Sequence, residues 1–349
     1  MLNGDSDILS AFRDSVRETM QEIELDAQTR VRKQGRDDDR TTGNLTWAEF
    51  VHFTARPVEG IPDPHLHAHC FVFNQTFDQE EERWKAVQFR QLKQDAPYYQ
   101  AIFHSKLASN LQELGYSISR KGKDWELSGI TKSLDQKFSR RTDQIEELAQ
   151  KKNILDPQAK DQLGAKTREK KNSNLSLPEL KKLWQERLSD EDRETLNELT
   201  DSKSQSRSYA PNAVELATAH AIEHCFERHS VYPMRRVIAE GLKYGLGDVT
   251  GEEIRRELDR RGVITRRLDG REMATTLEVL AEEQAMIDFA RLGRGKEEPL
   301  SHGWKIGRSW LDEGQQAAVQ HVAAGIVPTW TMPAISAGHP PSSSKIALR

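Results

Sequence analysis

The chain has 349 residues, of which 36% are hydrophobic and 30% charged, and a formal net charge of −4. This length allows two or three domains with modest cores. The net charge argues against a protein that coats nucleic acid over its whole surface. It does not exclude a local basic groove, because phosphate binding depends on where Lys and Arg lie.

The cellular setting predicted by the sequence is a reducing cytoplasm. The two cysteines, Cys70 and Cys225, are far apart and support neither a disulfide framework nor a thiolate metal cluster. The first residues lack a basic segment followed by an apolar run, so no secretory signal is indicated. No apolar stretch approaches the ~20 residues of a membrane helix, so we expect no membrane partner.

The first third of the chain predicts an α+β fold. Apolar residues recur at helical spacing over residues 8–34, which predicts a helix. The segments TWAEFVHFTAR (46–56) and LHAHCFVFN (66–74) are rich in aromatic and β-branched residues and predict strands. The turn-prone link at 57–64 is short, so the two strands should pair antiparallel.

Further elements follow up to residue 130. Pro97 predicts the start of a helix over roughly 97–114, which Gly115 should end. The segments 116–120 and 124–128 then predict two short strands.

The sequence changes in composition after residue 130. Residues 131–200 contain 15 Lys+Arg, 14 Asp+Glu and only two aromatics, Phe138 and Trp184. Such a segment has little to bury, which predicts solvated helices that connect two domains. Apolar patterning returns at 209–292 and predicts further helices with a strand.

Three histidines in the two predicted strands indicate a metal site. His67 and His69 point to one face because residues i and i+2 of a strand do so, and antiparallel pairing could bring His52 beside them. Three neutral imidazoles on a sheet can hold a divalent cation with positions open for substrate oxygens, and such a cation can polarise a phosphoryl group. The alternative is that these are ordinary histidines of a hairpin. His65 follows Asp63-Pro64 at the strand entrance, so we expect it to lie beside the ligands rather than to be one.

The block TGNLTWAEFVHFTARPVEGIPDPHLHAHCFVFN resembles the conjugative relaxases of the TrwC/TraI (MobF) type, members of the HUH endonuclease class. The segments WKAVQFRQLKQDAPYYQAIFHSKLASNLQELGY, FSRRTDQIEELAQ and LGAKTREKK also resemble this family, so the resemblance covers roughly residues 8–190. It implies an antiparallel-sheet domain that binds single-stranded DNA at a transfer origin. It also implies that His52, His67 and His69 bind the divalent metal, which would be Mg²⁺, Mn²⁺ or Zn²⁺.

The resemblance further implies a tyrosine that attacks the phosphate at the nick site by transesterification. Relaxases of this family carry such tyrosines before the histidine strands, whereas the first tyrosine of this sequence is Tyr98. We therefore expect an incomplete or inactive relaxase fragment that keeps the metal and DNA site. Tyr98 and Tyr99 are alternative nucleophiles, because other HUH enzymes place the tyrosine on a helix after the histidine strand. The other interpretation is that both aromatics pack against the sheet.

The second half of the sequence resembles a helicase. Residues 209–300 resemble the helical and winged segment before the motor of relaxase-associated, RecD-like helicases, and LDEGQQAAVQHV resembles the entry to that motor. There Gln315 would contact the adenine of ATP. No G-x-x-x-x-G-K-[ST] loop occurs in the sequence, so we expect no ATP binding and interpret Gln315 as vestigial. The string His220-Ala-Ile-Glu223-His224 fits a zinc-peptidase pattern, but we interpret it as part of an ordinary helix.

These features predict an α+β protein in five segments. Its function would be that of a relaxase-derived DNA-binding protein, and the alternatives are a DNA-binding remnant without metal or an active nuclease. Its partners would be single-stranded DNA and either a separately encoded N-terminal relaxase piece or other relaxosome proteins. The segments are the histidine-bearing relaxase portion at 1–130, a charged helical connector at 131–205, the helical and winged segment at 206–300, a truncated motor start at 301–330 and a disordered tail at 331–349.

Overall fold

The computed structural model describes residues 6–121, 124–169, 175–201, 211–268, 270–293, 307–308 and 310–323. The chain forms two compact units, residues 1–274 and 275–349. The first unit contains the described strands, apart from Thr275 at the end of the last one, and the histidines predicted to bind metal. No helix in the described ranges is long and apolar enough to cross a membrane.

The first helix is shorter than predicted. Helix α1 spans Ser6–Leu25, and the antiparallel strands β1 (Gln28–Lys33) and β2 (Arg36–Thr41) follow it. The prediction of a helix up to residue 34 was wrong: residues 28–33 pair with residues 36–41 across a turn at Gln34 and Gly35, whose φ angles are 52° and 78°. Two residues with positive φ form the tight turn of a hairpin.

A long antiparallel hairpin forms the centre of the first unit. Strand β3 spans Trp47–Val58 and β4 spans Ile61–Val72, with the turn at residues 59–60. Most of the predicted link is therefore strand. From Trp47 to His52 the pairing has no register shift. One face of the hairpin packs against the apolar residues of α1 and the third helix, which include Phe12, Val16, Met20, Phe103 and Leu107.

The elements between residues 76 and 127 agree with the prediction where one was made. Helix α3 has a proline in its first turn, and Gly115, with a φ of 89°, follows its end. Strands β7 and β8 pair antiparallel as predicted. The bounds are β5 Thr76–Asp78, β6 Arg83–Lys85, α2 Phe89–Gln94, α3 Ala96–Glu113, β7 Ile118–Lys121 and β8 Asp124–Leu127.

The charged segment is helical, but it is more than a solvated connector. Trp184 is fully buried and its Nε1 donates to the carbonyl oxygen of Pro62 in β4 at 2.8 Å. The carboxylate of Asp63 binds Arg140 and Arg187. A few large side chains therefore attach these helices to the hairpin despite the charged composition. Their bounds are α4 Lys132–Lys137, α5 Arg140–Lys151, α6 Pro157–Lys166, α7 Leu177–Glu186 and α8 Asp190–Asp201.

A helical group with a small three-stranded sheet completes the first unit. Its strands have the order β10-β11-β9, and its core packs onto α3 through Ala101 and Ile102. The elements are α9 Ala213–Phe226, β9 Tyr232–Pro233, α10 Met234–Tyr244, α11 Gly251–Arg260, β10 Ile264–Leu268 and β11 Arg271–Thr275. The helices and the strand predicted at 209–292 are thus present.

The second unit contains α12 (Leu277–Leu292) and α13 (Glu313–Ala323). The predicted motor start at 301–330 is described only at 307–308 and 310–323. The predicted disordered tail at 331–349 lies outside the described residues.

Candidate metal centre

The register of β3 and β4 brings the three predicted histidines together. His52 lies directly opposite His67, and His69 follows two residues along β4 on the same face. The ring centroids are 5.4 Å apart for His52–His67, 5.0 Å for His52–His69 and 5.2 Å for His67–His69. Backbone pairing alone therefore creates this cluster.

The spacing of the rings fits a shared cation. A metal–nitrogen bond of about 2.0–2.1 Å places an imidazole centroid roughly 3.2 Å from the ion, and ligand angles of roughly 90–109° then separate two centroids by roughly 4.5–5.2 Å. The separations of 5.0 and 5.2 Å lie at the upper end of this range, and the His52–His67 separation of 5.4 Å lies just above it.

The ring orientations are not yet those of a closed site. The planes of His52 and His67 differ by 22°, whereas the plane of His69 makes angles of 81° and 78° with those two rings. Within the described ranges, no set of three or more His, Cys, Asp or Glu side chains is already arranged as a metal site. Binding therefore requires at least one ring to rotate about its Cβ–Cγ bond, while the strands can stay fixed.

His65 orients the triad through its backbone. The Nδ1 of His67 lies 3.1 Å from the carbonyl oxygen of His65. Because a carbonyl only accepts, Nδ1 carries the proton and the lone pair is left on Nε2. Such a partner on the second nitrogen is typical of metal-bound histidines. The ring of His65 stacks on His67 at 4.8 Å, and burial together with that neighbour lowers the pKa of His65. His65 lies inside β4 and not at its entrance, because β4 already begins at Ile61.

The histidines open into a cleft of about 640 Å³ between the hairpin and helices α5 and α6. Within the described residues, Arg56 and Arg168 form no ion pair, whereas Lys160 binds Glu146 at 2.7 Å. The composition of the rim suits an anion such as a phosphodiester. Its cationic residues are Arg56, Arg141, Lys160 and Arg168.

Sequence reasoning missed the contribution of the charged segment to this cleft. Arg141, Lys160 and Arg168 lie far from the histidines in sequence, and their approach depends on how α5 and α6 pack. The exposed phenylalanines that follow the histidines on the same face of the hairpin were also overlooked. Simple alternation along HLHAHCFVF would have found them.

The structure does not bring Tyr98 or Tyr99 to the histidines. Both lie on α3, which packs against the opposite face of the hairpin, and neither is among the described residues that line the cleft. The hydroxyl of Tyr99 donates to Asp26 at 2.6 Å and accepts from Arg235 at 3.0 Å. Burial raises the pKa of Tyr98 to about 12. Burial and the hydrogen bond to Asp26 raise the pKa of Tyr99 well above its usual value.

The remaining candidate residues have local structural partners. Gln315 lies in the first turn of α13 in the second unit, where its side chain accepts from the backbone amide of Asp312 and its own backbone amide donates to the carboxylate of Asp312. His220 stacks on His224 and, at 4.5 Å, on Tyr244. An ordinary helix with stacked rings explains the peptidase-like string.

Comparison with known proteins places the chain in a family. The model of the TrwC relaxase family matches residues 1–191, more than half of the sequence. The chain therefore belongs to the TrwC relaxase family, and the resemblance proposed from its motifs is confirmed. The multifunctional conjugation protein TraI of Escherichia coli is 30% identical over 158 residues, which are 42% of this chain and 8% of TraI. TraI of Escherichia coli strain K12 is 30% identical over 141 residues, which are 37% of this chain and 8% of that protein. The match thus spans a small part of these relatives.

Solved structures agree with this placement. A metal-free structure of the conjugative relaxase TrwC with oriT DNA has 30% identity and a TM-score of 0.50, covering 53% of this chain and 64% of that chain. A metal-bound structure of TrwC with oriT DNA has 29% identity and a TM-score of 0.50, covering 56% and 66%. The α+β architecture predicted for the first part of the chain is thus similar to that of TrwC.

Proposed function

We propose that this chain binds single-stranded DNA of a transfer origin in the cleft beside β3 and β4, and that His52, His67 and His69 hold a divalent cation there. The observation that carries the proposal is the meeting of three imidazoles, within 5.4 Å of one another, in a cleft lined by cationic side chains. The oriT DNA and the metal named for TrwC structures support the same assignment.

The chemistry of the site follows from its donors. A divalent cation supplies Lewis-acid polarisation of a phosphate oxygen when it is bound. Three neutral imidazoles leave the charge of such an ion uncompensated, so the site attracts an anionic ligand. Imidazole nitrogens suit Zn²⁺, whereas Mn²⁺ and Mg²⁺ prefer oxygen ligands, so we expect Zn²⁺ to bind more tightly than Mn²⁺.

The cationic rim completes the binding of the DNA backbone. Arg56 lies on β3 beside the histidines, and Arg168 follows α6 across the cleft. Neither has an ion-pair partner among the described residues, so each is available to a phosphate adjacent to the one at the metal. Such contacts position the DNA strand but do not distinguish its base sequence.

Site- and strand-specific nicking is the reaction that membership of this family suggests. The geometry of the described residues supports the phosphate-binding half of that reaction, since the cleft lining includes His52, His67 and His69. For the nucleophile, the proposal relies on a tyrosine brought to the cleft by another segment or by a separately encoded relaxase piece.

The experiment is a calorimetric titration of the chain with Mn²⁺ and Zn²⁺. The double variant His67→Ala, His69→Ala should lose the binding seen with the native chain. The control is His220→Ala, His224→Ala, which removes two stacked histidines of α9 and should leave binding intact. Native protein that binds neither ion would refute the metal assignment and favour a DNA-binding remnant without metal.

A further inference from the structure

The histidine face of the hairpin continues as a row of exposed aromatic rings. Along β4 and the residue after it, alternation places Phe71 and Phe73 on the same face as His69. On β3, Phe50 lies directly opposite His69 and therefore shares that face. The partner opposite Phe71 is Ala48, whose methyl group covers little of the ring.

These rings are exposed to solvent. Phe50 is 55% exposed, Phe71 58% and Phe73 45%, whereas the alternate residues of both strands pack against α1 and α3. The rings of Phe71 and Phe73 meet edge to face at 5.0 Å. In this arrangement the two rings do not cover each other's faces fully, so ring faces remain open to a planar ligand. Three neighbouring exposed phenylalanines on one sheet face indicate a binding surface.

We infer that Phe50, Phe71 and Phe73 form a stacking platform for the bases of the DNA strand whose phosphate the histidines bind. The inference rests on the proposed function and adds the groups that hold the nucleotides next to the metal. Residues i and i+2 of a strand are about 6.6 Å apart, so Phe71 lies one such step from His69 and Phe73 lies two. A DNA strand that leaves the cleft in the direction of β4 therefore passes its bases over these rings.

The surroundings favour nucleic acid over an apolar peptide as the occupant. The row is continuous with a cleft lined by histidines, by four cationic side chains and by two carboxylates, Glu146 and Asp161, so that the cations outnumber the anions and the surface complements a polyanion. Single-stranded DNA needs this combination, since cations follow the backbone while aromatic rings stack on the bases in a sequence-tolerant manner. An apolar segment of protein would gain nothing from the cationic part of the surface.

The test measures binding of two fluorescent probes by anisotropy in the presence of Mn²⁺. One is an oligo-dT of about 12 nucleotides, and the other is a strand of the same length with abasic sites. The native chain should bind oligo-dT more tightly than the abasic strand. The variant Phe71→Ala, Phe73→Ala should weaken oligo-dT binding by roughly 5- to 150-fold per lost stack and leave abasic binding unchanged. Its affinity for Mn²⁺ should not change.

Control variants separate stacking from general effects. Phe71→Leu, Phe73→Leu retains apolar area without aromatic faces and should reduce the preference for oligo-dT as much as the alanine variant does, because only Phe50 still offers a ring. Trp310→Ala removes an aromatic residue of the second unit that is also exposed and should change nothing. Alanine or leucine variants that prefer oligo-dT over the abasic strand as strongly as the native chain does would overturn the inference. The inference is also overturned if the variants leave oligo-dT affinity unchanged and alter only the sedimentation of the protein. That result would show that the rings form a contact between copies of the chain. Failure of the native chain to bind Mn²⁺ or either probe would instead count against the proposed function.

Discussion

The carboxylate of Asp63 attaches the charged helices to the metal-bearing hairpin, and Asp63→Asn tests that attachment. The Asp63 side chain is 3% exposed and accepts from the backbone amide of Arg140 at 3.2 Å, from its Nε at 3.0 Å and from Nη1 of Arg187 at 2.7 Å. Hydrogen bonds to charged groups contribute about 1.5–3 kcal/mol each. Asparagine keeps one acceptor oxygen but removes the charge that both guanidinium groups face.

We expect Asp63→Asn to lower the free energy of unfolding by about 2–3 kcal/mol, since breaking a buried ion pair costs at most about 3–5 kcal/mol. With a urea m-value of about 3 kcal/mol/M for a unit of this size, the midpoint should fall by about 0.7–1 M. Affinity for oligo-dT should fall too, because Arg141 lies on α5, which Asp63 attaches to β4, and Lys160 of α6 is paired with Glu146 of the same α5.

The matched control is Asp37→Asn. Its carboxylate lies 3.9 Å from Arg32 and is 55% exposed, so the same chemical change should cost less than about 1 kcal/mol. Equal midpoints for Asp63→Asn and the native chain would refute the role given to Asp63 in joining α5 and α7 to β4.

Three further outcomes are expected. The double variant Tyr98→Phe, Tyr99→Phe should leave Mn²⁺ and oligo-dT binding unchanged in the assays above, because both rings lie away from the cleft. The single variant Tyr99→Phe should lower the free energy of unfolding in urea by about 1 kcal/mol, because it loses the hydrogen bonds of the hydroxyl group. Burial opposes ionisation of Asp78, but hydrogen bonds from Arg40 and Lys85 outweigh it and lower the pKa of Asp78 to about 2. The contribution of Asp78 to stability should thus be present above its unfolded pKa of about 3.9 and be lost as pH falls towards 2. The urea midpoint of Asp78→Asn should therefore vary less with pH over that window than the midpoint of the native chain. Arg56→Gln, Arg168→Gln should weaken oligo-dT binding and reduce its salt dependence, and an unchanged salt slope would show that neither residue contacts phosphate.

Local patterns determined the parts of the fold that could be predicted. The alternation of LHAHCFVFN and the short link to the preceding strand predicted that pairing could bring His52 beside His67 and His69, and the register of the structure places His52 opposite His67. Pro97 and Gly115 likewise marked the ends of α3.

The features that were missed depend on long-range packing or on one turn. The hairpin of β1 and β2 escaped prediction because Val31 continues the helical period of α1, and only the turn at Gln34-Gly35 reverses the chain. The attachment of the charged segment to the hairpin depends on Trp184, one of two aromatics in that segment, which donates to the carbonyl of Pro62 from 122 positions away. The overall composition of a charged segment does not reveal the packing of one such residue.

The most direct measurement of the central claim is pulsed electron paramagnetic resonance of Mn²⁺ bound to the chain, with and without oligo-dT. A cation held by the histidines should show nitrogen couplings from imidazole in the native protein, which disappear in His67→Ala, His69→Ala. A phosphorus coupling should appear when the oligonucleotide is added. Bound Mn²⁺ that shows no imidazole coupling, or no phosphorus coupling with saturating DNA, would contradict a histidine-held cation that binds a DNA phosphate.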